Sequence, residues 1–417
     1  MKALRIGIFA LVTFTVLAHG AVEGWAESVL EIGAATLFAA WGVLVFRGRL
    51  VHCRGNPLLW PLGALAGLAL LQWLTRQTAS PYLTKVEFLR LAAYFLVFFL
   101  AVQVFRTAEE WRGFAWFLLV LGFSVSVFGI LQHFTFNGKL YWFRELRFGG
   151  IPFGPYVNRN HFSGLMELLI PSGLALLVLR AGRRDQLPLI ALFTLLPIGA
   201  LFLAASRGGI ASFFVQIAVL GILIWGNRGK SKGTADASAL LAAGAVLLSA
   251  VAVVAWLGVG SALDRFARFQ SLEVSEARRL VIMKDSWNIF RDHPWLGTGL
   301  GTLIVVYPRY ETFYDGKMVN HAHNDYVEVL AEGGVAGGAC CLTFIVLLFG
   351  VTLTKLRSRR APVEQALRIG ALAACAGLLV HGLVDFNFHI PSNALLFLLQ
   401  GALASADLPA PSKTGFL

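Results

Sequence analysis

Residues 321–354 read HAHNDYVEVLAEGGVAGGACCLTFIVLLFGVTLT, and the change of character partway along decides the fold. From 335 to 354 there are twenty residues without a charged side chain. That is the length an α-helix needs to cross the hydrocarbon core of a bilayer. Before it, Asp325, Glu328 and Glu332 fall on one side of a helical projection, and Val327, Leu330 and Ala331 on another. This spacing predicts an amphipathic helix lying at a membrane surface. Asp325-x-x-Glu328 reads as its capping box and Gly333-Gly334 as its stop. His323 stands at the water-facing start, eleven residues from Gly334 and so on nearly the same face. A histidine so placed is the first catalytic candidate.

The rest of the chain has the same apolar character. Of 417 residues, 57% are hydrophobic and 14% charged, against roughly 25% charged in a soluble domain. Mean hydropathy is +0.70. About twelve apolar runs qualify as spans: 4–22, 29–46, 57–74, 88–105, 113–134, 161–180, 187–205, 209–226, 238–259, 335–354, 365–384 and 390–406. The runs are continuous rather than alternating, which excludes a β-barrel. The fold class is an all-α polytopic membrane protein. It divides into 1–259 (nine spans and a loop at 135–160), a large loop region at 260–334 carrying amphipathic helices, and 335–417 (three spans and a tail). Residues 1–21 have the layout of a signal peptide, but the cut site is poor and more spans follow, so they read as a retained first span. No internal repeat is visible, so a transporter built of two matching halves is disfavoured.

The formal net charge of +12 needs no nucleic acid to explain it. With the N-terminus inside, the cytoplasmic loops are RGRLVHCRGN (47–56), RTAEEWR (106–112), RAGRRDQ (180–186), GNRGKSKG (226–233) and TKLRSRRAP (354–362). All five are basic, as the positive-inside rule requires, and both termini are then cytoplasmic. Cys53, Cys340, Cys341 and Cys375 have no metal or disulfide spacing, and vicinal Cys340-Cys341 read as small helix-packing residues.

The two long outer loops, 135–160 and 260–334, carry Arg144, Arg147, Arg159, Arg265, Arg268, Arg278, Arg279, Arg291 and Arg309, with Arg207 at the outer end of a span. Tolerated surface charge explains several of these. Arg159, Arg207 and Arg279 stand at span boundaries or at the start of a helix, where a charge needs a partner. An anionic ligand supplies one, and a planar guanidinium fork suits phosphate. Residues 276–291 predict a helix with Leu280, Met283, Trp287 and Phe290 on one face, ended by His293-Pro294.

HNDYVEVLAEGG contains His-Asn, nine residues, then Gly, and here the chain resembles the O-antigen ligase and polymerase family. GPYVNRNHFSG (154–164), SRGG (206–209), RRLVIMKDSWNIFRDHPWLGTGLGT (278–302) and VDFNFHIPSN (384–393) carry the same likeness, in the family's order and over most of the chain. Three residues separate Arg279 from Met283, where ligases often have Leu. The resemblance implies a metal-independent, inverting glycosyltransferase without a cofactor, at the periplasmic face of the bacterial inner membrane. Its donor would be a glycan on undecaprenyl diphosphate. Its acceptor would be a lipid A-core sugar for a ligase, or a carrier-linked glycan for a polymerase. On this reading His323 is the general base, Arg279 and Arg207 are catalytic, and Arg159, Arg278, Asn160, Asn324 and Tyr326 bind or orient substrate.

Other readings stand beside this one. His321-x-His323-x-Asp325 has metal-ligand alternation, but a helix begins there and no second ligand cluster is evident in the sequence. Gly297-x-Gly299-x-Gly301 follows a helix and His-Pro rather than a strand, so it reads as a flexible turn near the site and not as a nucleotide loop. Glu167, His381 and Asp385 are ionisable residues in or beside spans; the i, i+4 spacing pairs His381 with Asp385. Tyr141, Trp142, Phe143 and Trp295 read as interface anchors, with Trp142 also a sugar platform. A transporter of anionic lipid or solute would also place arginines near the membrane, but with substrate groups at its midplane.

Overall fold

The computed structural model describes residues 1–48, 53–146, 150–227, 276–314, 316–358 and 361–407. The predicted span 238–259, together with Arg147, Arg265 and Arg268, lies outside the described residues. The described chain is helical, and its β-structure amounts to two isolated bridges. In order, the helices are α1 (Lys2–Leu17), α2 (Gly24–Phe46), α3 (Leu59–Leu74), α4 (Pro81–Val104), α5 (Ala108–Phe134), α6 (Arg159–Val178), α7 (Leu187–Ala204), α8 (Arg207–Gly226), α9 (Glu276–Asp292), α10 (Leu303–Val306), α11 (Asp325–Leu356), α12 (Pro362–His381) and α13 (Pro391–Ser405).

Among the described residues, eight helices are long and apolar enough to cross a membrane: α2, α4, α5, α6, α7, α8, α11 and α12. Three further predicted spans correspond to α1, α3 and α13, of 16, 16 and 15 residues. At 1.5 Å per residue these reach about 24 Å, short of a hydrocarbon core of roughly 30 Å. The centre of the bundle is α6 and α12, which pack along each other and against α7, α8 and α13. Their backbones approach closely because position 370 is glycine; a Cβ there would lie 2.6 Å from Ser172 Cα. Small residues at such crossings are the usual way membrane helices gain contact.

Contacts sort the connections to two ends. At one end Arg5 pairs with Glu110, Arg54 Nη1 donates to the Arg106 and Asp407 carbonyls, and Lys355 pairs with Asp407. At the other, Tyr141 Oη donates to the Leu17 carbonyl, His19 meets the Pro155 carbonyl, and the Ala79 N–H donates to Thr298. The segment 276–334 sits at this second end with a small core of its own, built on Ile282, Ile289, Leu303, Val306, Tyr307 and Ala331. The predicted apolar face of α9 is not the buried one. Leu280 and Trp287 are 65% and 44% exposed, while Ile282, Asp285, Ser286 and Ile289 point inward. The reason is polar: Asp285 accepts hydrogen bonds from Tyr307 Oη and from the Thr312 N–H and hydroxyl.

α11 breaks at Gly334, whose φ of 60° and ψ of −160° belong to glycine alone. The predicted stop is therefore real, and the helix restarts at once. The turn at 294–299 supplies what the break takes away. The Pro294 and Trp295 carbonyls accept from the N–H groups of Val335 and Ala336, and the N–H groups of Thr298 and Gly299 donate to Ala331 and Glu332. Gly297, Gly299 and Gly301 all have positive φ, so the glycine repeat is a turn tied to the break by hydrogen bonds. Gly334→Ala should destabilise the protein by at least about 1–3 kcal/mol through strain alone, with a further clash because a Cβ would lie 2.4 Å from the Trp295 carbonyl. Gly350→Ala, where a Cβ meets nothing within 4 Å, should stay within about 0.5 kcal/mol. Thermal melts of the two variants in detergent check the contrast.

Candidate active site

Three helices begin at the same end, each opened by a polar cap in one of the quoted motifs. Asn158 Oδ1 accepts from the Asn160 N–H at the start of α6. Ser206 Oγ accepts from the Gly209 N–H at the start of α8. Asn324 Oδ1 accepts from the N–H groups of Tyr326 and Val327 at the start of α11. Asn324 is thus the cap, and the expected Asp325–Glu328 capping box does not form, because both carboxylates turn inward to histidines. The three starts gather around the end of α12. Asn160 Nδ2 donates to Asp385, the Asp325 N–H donates to the Gly382 carbonyl, and Gly208 lies against His381 and Val384. Helix N-termini carry partial positive charge, so this end of the bundle favours an anion.

A cavity of about 1300 Å³ opens there, and its wall includes Asn160, His161, Arg278, Arg279, His321 and His323. His323 has φ of 52°, a left-handed conformation uncommon for a side-chain-bearing residue and a recurrent mark of functional sites. It belongs to the wall of the cavity and not, as the sequence suggested, to an open water-facing surface; its side chain is 15% exposed. His323 Nδ1 and His161 Nε2 each stand 3.8 Å from Asp385 Oδ1. Phe386 packs among three imidazoles, with ring centroids 4.7 Å from His161, 4.4 Å from His321 and 5.1 Å from His323. Burial alone would raise the Asp385 pKa, but the His161 and His323 rings outweigh it and hold the carboxyl well below its ordinary value.

The predicted acidic face of α11 is real as a face, but it is buried. Asp325, Glu328 and Glu332 are 7%, 1% and 3% exposed. Glu332 accepts from the N–H groups of Gly301 and Leu303. Glu328 Oε1 lies 2.8 Å from His321 Nδ1 and 3.2 Å from His389 Nε2, and His389 Nδ1 lies 2.9 Å from Asp325 Oδ1. Burial lowers His321 despite its contact with Glu328. Burial would lower His389 too, but Glu328 and Asp325 overcome it and push the group up to about 9. The expected helix at the membrane surface is therefore replaced by one whose polar side is packed into protein.

The other sequence candidates divide. Arg279 Nη1 donates to the Val384 carbonyl, and Gly208, next to Arg207, packs on the same Val384, so these two arginines border one spot. Arg207 is exposed and Arg159 buried. The turns that carry them touch, since Gly209 packs against Ser163, whose hydroxyl donates to the Arg159 carbonyl. Arg278 is held by Glu311 at 2.7 Å and by the Phe313 carbonyl. Asn324 Nδ2 donates to Leu383, and Tyr326 Oη donates to Leu379 beside a separate apolar cavity, so neither faces the polar cavity. The expected His381–Asp385 side-chain pair does not form. α12 ends at His381, so the i, i+4 spacing is not helical, and His381 Nδ1 instead meets Glu167 at 2.8 Å. His161, His389 and Phe386 were not singled out, although 154–164 and 384–393 contain them.

The fold and this end of the bundle define a multi-pass α-helical membrane protein with an arginine- and histidine-walled cavity. Residues 192–342 match the family model Wzy_C, described as O-antigen ligase. The matched segment holds Arg207, Arg278, Arg279 and His323, while Asn160, His161, Asp385 and His389 reach the same end from outside it. No curated protein matches the chain.

Asp385 is the group on which Asn160, His161 and His323 converge. Asp385→Asn should lower stability at pH 7 by about 1.5–3 kcal/mol, the range for hydrogen bonds to a charged group. Because the folded pKa is depressed, the wild-type advantage is full above the ordinary carboxyl value of 3.8 and declines as pH falls below it toward the folded value. Paired melts of wild type and variant from pH 7 downward read this directly.

Proposed function

We propose that this protein transfers a glycan from an undecaprenyl-diphosphate carrier to an acceptor hydroxyl at the periplasmic face of the bacterial inner membrane. The lead reading is a ligase acting on a lipid A-core sugar. The observation that carries it is the shared cavity, whose wall includes an imidazole near a buried carboxylate and a guanidinium that donates to a neutral carbonyl. The orientation rests on the basic loops, which set the opposite end toward the cytoplasm.

In the proposed step His323 takes the proton of the acceptor hydroxyl as its oxygen attacks the anomeric carbon. Asp385 Oδ1, 3.8 Å from Nδ1, is close enough to favour positive charge on the ring as it forms, which leaves Nε2 as the base. The bond from the anomeric carbon to the phosphate oxygen breaks, and its electron pair leaves with the diphosphate. Arg279 and Arg207 stabilise that growing charge, helped by the helix starts at Asn158, Ser206 and Asn324. Attack opposite the leaving group inverts the anomeric centre. Arg159 and Arg278 support the wall electrostatically, Asn160 positions Asp385, and Asn324 sets the His323 backbone by capping the helix. Tyr326 anchors α11 to α12 through Leu379.

The test is reconstitution of the full chain with an undecaprenyl-diphosphate glycan and separate acceptors. Product on lipid A-core supports a ligase; longer carrier-linked chains point to a polymerase. His323→Ala should reduce turnover by about 10²–10⁴-fold, and Arg279→Ala by about 10²–10³-fold. Full activity in His323→Ala would remove the base. Movement of the lipid without any new glycosidic bond would favour a transporter.

A further inference from the structure

We propose that His321, Glu328 and His389 form a binding site for one divalent first-row transition-metal ion of the Zn²⁺ type. The three ligand atoms, His321 Nδ1, Glu328 Oε1 and His389 Nε2, lie within 4.8 Å of one another. Two of their separations are 2.8 and 3.2 Å. Ligands around a tetrahedral Zn²⁺ at about 2.0–2.1 Å stand roughly 3.3 Å apart, so an ion enters with small shifts. Two imidazoles and a carboxylate are a donor set suited to this class of ion and poorly suited to Mg²⁺ or Ca²⁺.

Proximity alone would not carry this. The groups behind the ligands do. Asp325 Oδ1 meets His389 Nδ1, which keeps a proton on that nitrogen and makes Nε2 the atom that gives up its proton to an entering ion. The Ala322 N–H donates to Glu328 Oε2, which leaves Oε1 for the ion. Such carboxylate–histidine–metal and backbone–carboxylate supports are the recurrent outer partners of metal ligands.

His321 and His389 also border the cavity, so the fourth coordination position faces it and accepts water or an anionic oxygen. The ligands come from three segments: the loop before α11, α11 itself, and the turn before α13. The ion would clasp these together two residues from His323. The competing description is a hydrogen-bonded trio in which protons alone join Glu328 to the two rings.

The experiment uses the full chain in detergent, purified through a tag without histidine and stripped with a chelator. Co²⁺ is titrated in and read by its visible ligand-field absorption, with bound metal counted by mass spectrometry. The expected result is one Co²⁺ per chain, displaced by one Zn²⁺. His389→Ala and Glu328→Gln should each weaken binding at least about tenfold, with His293→Ala unchanged. Wild-type protein that binds no stoichiometric Co²⁺, or binding that survives in both ligand variants, overturns the proposal. If a ligand variant fails to fold, the wild-type titration and His321→Gln, at a side chain 29% exposed, decide it. The readout is ion occupancy, so it stands or falls apart from glycosyl transfer.

Discussion

The arrangement depends on one broken helix. α11 stops and restarts at Gly334, and a membrane-embedded protein tolerates irregular backbone only where other groups satisfy it. Residues 294–299 do so from outside the helix, accepting from Val335 and Ala336 and donating to Ala331 and Glu332. Gln72 on α3 closes the arrangement. Its amide nitrogen donates to the Leu296 and Glu332 carbonyls, and its oxygen accepts from the Leu300 N–H. One buried side chain thus ties a bundle helix, the loop that follows α9 and the break together. Because the break is covered, the first turns of α11 are fixed relative to the bundle, and His323 with them.

A second constraint follows from where helices start. The motifs at 158–161, 206–209 and 323–325 look unrelated as sequence, but each is a polar cap followed by the first turn of a helix. The glycines of SRGG have a packing reason. A Cβ at Gly208 would lie 2.9 Å from His381 and one at Gly209 2.4 Å from Ser163, so any larger residue would push α8 off α6 and α12. Packing therefore sets the distance between helix starts, and the helix starts carry the arginines. The site is a consequence of how the bundle closes at this end.

Much of this was legible in the sequence. The twenty-residue apolar run at 335–354 announced a membrane helix, and Gly333-Gly334 announced the stop. The direction of burial was not legible. Asp325, Glu328 and Glu332 on one side read as a water-facing stripe, because sequence periodicity tells which residues share a face but not what covers it. The covering groups, His389, Gly301 and Leu303, are 57, 31 and 29 residues away from Glu332 in the chain. The same limit explains α9, where Leu280 and Trp287 share the apolar face read from the sequence but Ile282 and Asp285 lie on the buried one, and His381, whose partner Glu167 is 214 residues distant. Asp385 was visible as an unusual charge beside a span, but its partners, Asn160, His161 and His323, come from two remote segments.

The distribution of charge argues for an anionic occupant more strongly than a count of arginines does. The carboxylates at this end are already answered inside the protein: Asp385 by Asn160 and two imidazoles, Glu328 by His321 and His389, Glu332 by backbone N–H groups. Arg90 is matched by Glu27 and Glu87, Arg144 by Glu23, and Arg278 by Glu311. Arg279 instead donates to the neutral Val384 carbonyl, and its Nε is buried without a hydrogen-bond acceptor. A half-buried guanidinium that meets only a neutral dipole leaves its charge unmatched, and something negative entering the cavity beside it answers that charge. A phosphate group meets that requirement because it brings negative charge along with two acceptors for one planar fork, whereas a neutral sugar brings acceptors without the charge.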